Sequence, residues 1–279
     1  KRQKARNFNT SNKITIRPFI AGREGFFKLA VLAENNSEYI IKDNFFFSSN
    51  IKYSIVDNFD DLTIPPVDVY PAQVRSDVKE YLRNLDHVNI GRAQFDYHIT
   101  PQENHHMMFT AGILEEMFMG YGMEYLYFDN KQNYALGFEI FEVQKRDYKM
   151  QFGALDYKNV TGSANFYYKN YDIIPFDAKI SYGEYLAGDT GITFELSRTY
   201  LNGAEFGVFA TFTDVTSEQF GEGSFDKGIF FTIPVYKNLL NYTWRPLTKD
   251  PGAKLNRKHT LHDLLVKFRP YNKSSSSKK

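Results

Sequence analysis

The sequence predicts an all-β fold, a transmembrane antiparallel up-and-down β-barrel of about 14 strands, and three observations carry that prediction. Greasy residues recur at every second position, as in Phe206, Val208, Ala210 and Phe212 and again in Ile229, Phe231 and Ile233, with Glu205, Gly207, Thr211, Thr213 and Thr232 on the alternate positions. Such alternation gives a strand one apolar and one mostly hydrophilic face. The runs extend over roughly 10 residues and end in aromatics, as a strand crossing a bilayer at a tilt requires, whereas the strands of a soluble sandwich usually span about 5 or 6. Aromatics make up 17% of the 279 residues, 26 Phe and 20 Tyr against one Trp, a share suited to the interfacial girdles of a barrel.

Taken in order, alternation places strands at 14–20, 25–41, 45–57, 88–100, 105–115, 121–128, 134–144, 160–169, 176–185, 189–199, 204–213, 228–236, 239–246 and 261–269. The short connections 42–44, 101–104, 129–133, 170–175, 200–203 and 237–238 mostly carry Asn, Asp, Gly or Pro, the residues of tight turns. Longer connections at 58–87, 145–159, 214–227 and 247–260 fall at the other end, with briefer links at 21–24, 116–120 and 186–188. Short periplasmic turns opposite long outer loops are the expected asymmetry of a bacterial outer-membrane barrel, and an even strand number puts both termini on the periplasmic side. Within 58–87, Val74, Val78, Tyr81, Leu82 and Leu85 recur at near-helical spacing, which predicts a short amphipathic helix in or over the mouth.

The same alternation sorts side chains by face. Ala93, Phe95, Tyr97 and Ile99 point outward, as do Phe109, Ala111 and Ile113, then Tyr121, Met123, Tyr125 and Tyr127, then Phe176, Ala178, Ile180 and Tyr182, and finally Tyr242 and Trp244. The opposite faces carry Lys52, Arg92, Asp96, Glu124, Glu139, Asp177, Lys179, Glu195, Glu205 and Arg245, the candidates for lining a lumen and a ligand path, together with Asp263 and Lys267. Basic side chains facing lipid at the midplane cost about 2 to 4 kcal/mol, so a lipid-facing wall drives charges inside. Sugars present hydroxyls and apolar ring faces, for which mixed polar and aromatic side chains are suited; ordinary filling of a lumen by mutually satisfied polar groups uses the same residues.

Bulk properties narrow the classes further. The mean hydropathy is −0.47 and no run reaches 18 apolar residues, which excludes a helical span but not a barrel. With 34 basic and 33 acidic residues the net charge is +1, which argues against a nucleic-acid partner. Cysteine is absent, so disulfides and thiolate metal sites are excluded. The domain reading is a lead-in over 1–13, a barrel over 14–269 and a polar tail over 270–279; the chain starts at Lys1 without a targeting segment, which suggests a processed form or a fragment of a longer protein.

Particular strings then carry a resemblance. DNFDD (57–61), VRSDVKEYL (74–82), ILEEMFMGYGMEYLY (113–127), YLAGDTGITFELSRTYLNG (185–203), GVFATFTDVTSEQFGEGSFDKGIFFTIP (207–234) and WRPLTKDPGAKL (244–255) occur in this order, and over about residues 14 to 265 the chain resembles the C-terminal part of the YjbH family, GfcD-like outer-membrane proteins associated with exopolysaccharide and group 4 capsule. The resemblance implies a role in production or export of surface polysaccharide, with no catalytic centre and no cofactor to carry over. It also implies a longer parent polypeptide that joins a barrel to periplasmic modules, so partners would be outer-membrane lipid, polysaccharide, and periplasmic export components or the missing N-terminal part. It places Asp57, Asp60, Asp61, Arg75, Asp77, Glu115, Glu116, Asp214, Glu222, Asp226 and Lys227 in recurring loop contexts, as it does Asp189 and Arg198. Beyond Phe268 the polar extension departs from the family pattern.

Catalytic and metal chemistry find little support in the residues. Glu115 and Glu116 are adjacent, and on a continuous strand they point to opposite faces, unlike the convergent carboxylates of a glycosidase. His105 with His106, and His259 with His262, lack a convergent third ligand, and Asp57, Asp60 and Asp61 lack the calcium-loop spacing. GEGSFDKG (221–228) lacks the lysine and serine of a phosphate loop. The expectation is a non-enzymatic barrel that assists exopolysaccharide or capsule secretion or surface assembly; the alternatives are a general diffusion porin, a structural scaffold, and a membrane enzyme that modifies polysaccharide.

Overall fold

The structure, a computed structural model, describes residues 7–22, 25–42, 44–63, 72–85, 87–170, 174–200, 202–216, 225–235, 240–244 and 250–267. Thirteen strands form one sheet in which every strand pairs antiparallel with its neighbours in sequence. They are β1 (Phe8–Gly22), β2 (Gly25–Lys42), β3 (Phe45–Asp57), β4 (Asn89–Gln102), β5 (His105–Ile113), β6 (Phe118–Phe128), β7 (Tyr134–Arg146), β8 (Ala154–Asn170), β9 (Phe176–Glu184), β10 (Thr190–Thr199), β11 (Glu205–Thr213), β12 (Asp226–Val235) and β13 (Leu240–Trp244). Their period-two pattern sets the register: Phe194 lies opposite Ala210 and Ile180, and Glu195 opposite Phe209 and Lys179, so one residue of slip would turn every outward apolar side chain to the wrong face.

The outward face is apolar along most of its height, with Phe95, Phe109, Phe138, Phe166, Ile180, Phe194, Val208 and Ile229 all exposed. Of the outward positions expected from sequence, Ile113 is buried, and Tyr242 and Trp244 lie on β13, whose side chains are outside the described set. The charged face is concave. Its curvature follows from the chain's own contacts, because residues 254–266 meet Glu38 of β2, Gln94 of β4, Glu124 of β6, Glu139 of β7, Tyr167 of β8 and Glu195 of β10.

At the end of the long loops, a hydrophobic layer closes over the concave face. Helix α1 (Val78–Arg83) supplies Val78, Tyr81 and Leu82, and Phe59, Leu62, Val74 and Leu85 flank it in the same connection. They pack on Leu114, Met117 and Phe118 of the β5–β6 turn, on Met150, and on Leu186, Ala187 and Ala253. The predicted amphipathic helix is therefore present and faces inward.

Two expectations fail at the C-terminal end. The stretch expected as a fourteenth strand, 261–269, is instead a helical turn with a π-helical part at Asp263–Lys267, and among the described residues the strand number is thirteen. Leu261, Leu264, Leu265 and Phe268 recur at helical spacing, whereas a strand would set Asp263 and Lys267 on the face of Leu261 and Leu265. The expected outer loop 247–260 also differs. Its described part, 250–260, turns into the concave face, and 261–266 continue along it to pack Leu261 and Val266 on Met108, Leu126, Phe128, Ala135 and Tyr167. Strand β1 starts at Phe8, six positions before the expected 14–20, and the tail 270–279 lies outside the described residues.

Candidate functional site

The concave wall encloses a cavity of about 700 Å³. Strand alternation delivers Lys52, Arg92, Glu124, Glu139, Asp177, Lys179, Glu195 and Glu205 to it, and the loops add Arg75, Glu115 and Glu116. Most of these charges are satisfied by one another. Arg17 lies 2.8 Å and Lys52 2.5 Å from Glu116; Lys169 is 3.0 Å from Asp177; Lys179 stands over the Tyr167 ring at 5.3 Å. Arg92 donates to the carbonyls of Leu114 (2.8 Å) and Asn256 (3.3 Å). Burial works to raise the Glu116 carboxyl, but Arg17 and then Lys52 outweigh it and hold it below the usual carboxylate range.

The segment 254–267 runs along this wall with side chains as its moorings. Arg257 is the principal one: Nη1 lies 3.1 Å from Glu124, Nη2 reaches Glu139 at 2.5 Å, and the guanidinium carbon stands 4.3 Å from the centre of the Phe141 ring. Burial opposes the charge, yet Glu124 and Glu139 push the Arg257 pKa above its ordinary value. Around it, Lys254 is 3.4 Å from Glu195, the Lys258 N–H donates to Gln94, the Leu261 N–H donates to Glu124 at 3.0 Å, and His262 stacks on Tyr167 at 4.1 Å. An isolated buried charge costs far more than a paired one, so arginine between two glutamates is stable only while the segment stays in place.

The start of the segment is fastened in the end layer, and there the family strings meet. Asp250 Oδ1 accepts from the N–H groups of Val74 (2.9 Å), Arg75 (2.7 Å) and Ser76 (2.9 Å). Arg75 forms a two-pronged pair with Glu115 (2.7 and 3.1 Å) and donates to the Lys254 carbonyl at 2.7 Å, while Glu115 also accepts from the Asn256 N–H. Asp189 accepts from the Gly252 N–H at 2.8 Å, and burial pushes its carboxyl up to about 6. Asp77 pairs with Lys145, and burial raises its carboxyl as well. Strings separated by up to 179 positions are thus one hydrogen-bonded cluster.

The remaining sequence candidates divide by place. Asp96 is on the concave face but fully buried, accepting from Gln94 and Thr110. Asp57 accepts from the Ser54 hydroxyl, Asp61 pairs with Lys28, and Asp60 is exposed on the same turn. Asp214 accepts from the Thr190 N–H, Asp226 opens β12 opposite Thr211, and Lys227 points outward over the Phe225 ring at 4.5 Å. Glu222 and Arg245 lie outside the described residues. Glu115 and Glu116 correct the strand argument made for them, because β5 ends at Ile113 and both carboxylates reach the cavity from a turn, each held by its own cations.

Sequence reasoning missed the residues of the inserted segment, Asp250, Lys254 and Arg257 above all. A signal was present. The predicted interior held seven acids against five bases, an excess that calls for cations from elsewhere in the chain.

Residues 1–267 match the family described as Exopolysaccharide biosynthesis protein YbjH. The "Uncharacterized lipoprotein YjbH" of Escherichia coli (strain K12) is 30% identical over 259 residues, covering 88% of this chain and 36% of that protein. The chain therefore spans about a third of that relative's length. Among solved structures, OmpT, an outer membrane protein of Vibrio cholerae folded in vitro, aligns over 82% of each chain at 9% identity with a TM-score of 0.31.

Proposed function

As the chain belongs to the YjbH family of exopolysaccharide biosynthesis proteins, we propose that it is a non-catalytic outer-membrane β-barrel that assists secretion or surface assembly of exopolysaccharide or capsule. In this reading β1 and β13 close the sheet, acyl chains solvate the outward face, and the polar concave face is the path beside which a glycan chain is handled. The apolar outward belt supports the membrane placement, since an exposed surface of this extent on a soluble protein is an aggregation hazard. Two outward cations flank the belt, on β10 and β12: Arg198 over the Tyr200 ring at 4.8 Å and Lys227 over Phe225, as snorkelling side chains do at a membrane boundary.

The observation that carries the reading is the chain's own C-terminal segment lying in the polar interior and held by Arg257. A freely conducting porin needs an open aqueous channel, which a moored segment obstructs. A guided or gated path accommodates it. A neutral or weakly charged glycan fits best, because the wall's charges are spent on one another and leave little field of one sign.

The test is deletion in the native host with complementation by wild type and by Glu195→Gln and Arg92→Gln variants, scoring secreted glycan. Reduced output on deletion, restored by wild type and only partly by the variants, is expected. Polymer output that does not change on deletion removes the export role, and large steady conductance of the wild-type protein in planar bilayers would favour a porin.

A further inference from the structure

From β4 to β12 the outward face carries a band of apolar residues and glycine, with Phe109, Ile140, Ile180, Phe194, Val208 and Ile229 typical, and outward charges such as Glu142, Lys158 and Glu184 lie toward the long-loop end of their strands. Strands β1 to β3 break that rule. Between an aromatic row of Phe8, Tyr39 and Phe47 and a second row of Ile14, Ala33 and Tyr53, their outward face carries Thr10, Asn12, Asn35, Ser37 and Ser49. The register sets Thr10 opposite Ser37 and Asn12 opposite Asn35, with Ser49 beyond Ser37.

These groups form a ladder: Thr10 and Ser37 hydroxyls are 2.9 Å apart, Asn35 Nδ2 donates to Asn12 Oδ1 at 2.7 Å and to Thr10 at 3.1 Å, and Ser37 donates to Asn35 Oδ1 at 2.9 Å. The Asn12 amide N–H groups and the Ser49 hydroxyl have no partner among the described residues. In a hydrocarbon environment an amide without a partner costs several kcal/mol, and acyl chains can supply none. Only protein can.

Resting on the membrane reading above, we infer that this face of β1 to β3 is a contact surface for a second copy of the same chain. Asn, Ser and Thr each donate and accept, so a patch built of them complements itself when turned through a two-fold axis, the symmetry of the commonest oligomers. The patch carries no charge that such pairing would oppose. The rows that border it supply apolar contact around the hydrogen bonds.

The chain has no cysteine, which makes single-cysteine variants selective reporters in this part of the protein. In native membranes containing the full natural polypeptide, Ser37→Cys is expected to oxidise to a product of twice the mass. That product is expected to vanish when Asn12→Leu and Asn35→Leu are added. Ile180→Cys, on the far wall, is expected to remain single and to react with a bilayer-soluble maleimide. A Ser37→Cys protein that stays single while Ile180→Cys reacts from the bilayer overturns the dimer alone, as does a cross-link within one polypeptide or to a different protein. Reaction of Ile180→Cys only with a charged, water-borne maleimide removes the membrane reading and the dimer with it.

Discussion

Arg257 and Glu124 stand 133 positions apart in sequence and 3.1 Å apart in space, and that pair ties the C-terminal segment to the middle of the concave wall. A second carboxylate, Glu139, completes the arginine's environment from the next strand. The consequence is directional: remove the arginine and the buried Glu124 loses its counter-charge, while the part-exposed Glu139 loses the nearer of its cations.

Arg257→Ala is expected to release the segment, because breaking a buried ion pair from one side costs about 3 to 5 kcal/mol. The measurement is planar-bilayer conductance with limited proteolysis of the segment. Increased conductance and new cleavage between residues 254 and 267 are expected, with Arg257→Lys lying between wild type and Ala. Identical conductance and cleavage in all three proteins would show that the segment is held by other contacts.

Asp250→Ala removes one acceptor from three backbone N–H groups at the entrance to α1. A loss of about 1 to 3 kcal/mol follows for donors left without a partner. Asp250→Asn keeps an oxygen in place and is expected to lose less. Urea unfolding in phospholipid bilayers separates the three proteins; an Ala variant as stable as wild type contradicts the anchoring role.

The acid side of the stability profile is set by groups of opposite sign. The folded Asp189 carboxyl, raised to about 6, binds its proton more tightly than in the unfolded chain, so its ionisation lowers stability as pH rises from about 4 to about 6. Glu116, held low by Arg17 and Lys52, stabilises above the ordinary carboxylate range, and that contribution is lost as pH falls through its depressed folded value. Asp189→Asn is expected to flatten the profile between pH 4 and 6, and Glu116→Gln to flatten the more acidic limb. Unfolding free energies measured across pH 3 to 7 read both.

Gly112 has φ of +128°, and a Cβ there would come 2.2 Å from the Ala93 carbonyl oxygen across the β4–β5 pairing. Neither the dihedral nor the neighbouring backbone tolerates a side chain. Gly112→Ala is expected to lower the yield of the heat-modifiable folded form on gels. An unchanged yield would mean that β5 shifts at little cost.

Ile180→Arg places a cation on the outward belt, where about 2 to 4 kcal/mol is lost at a bilayer midplane. The inward neighbour, Lys179, bears its charge in the cavity, so Lys179→Gln is expected to change stability much less. Folding titrations into bilayers compare them, and an Ile180→Arg protein as stable as wild type argues against lipid on this face.

Alternation alone determined the sheet: the order of the strands, the faces of Phe194 and Glu195, and the helix at Val78 to Arg83 follow from periods of two and near four, which are local properties of the chain. The family strings were equally legible, but their convergence was not. That Asp250 would cap Val74, Arg75 and Ser76, that Arg257 would sit between Glu124 and Glu139, and that 261–267 would turn as a helix inside the wall instead of pairing as a strand are decided by contacts across most of the chain. No local pattern encodes which buried carboxylate an arginine will meet; the curvature of the sheet and the demand that buried charge be neutralised choose it.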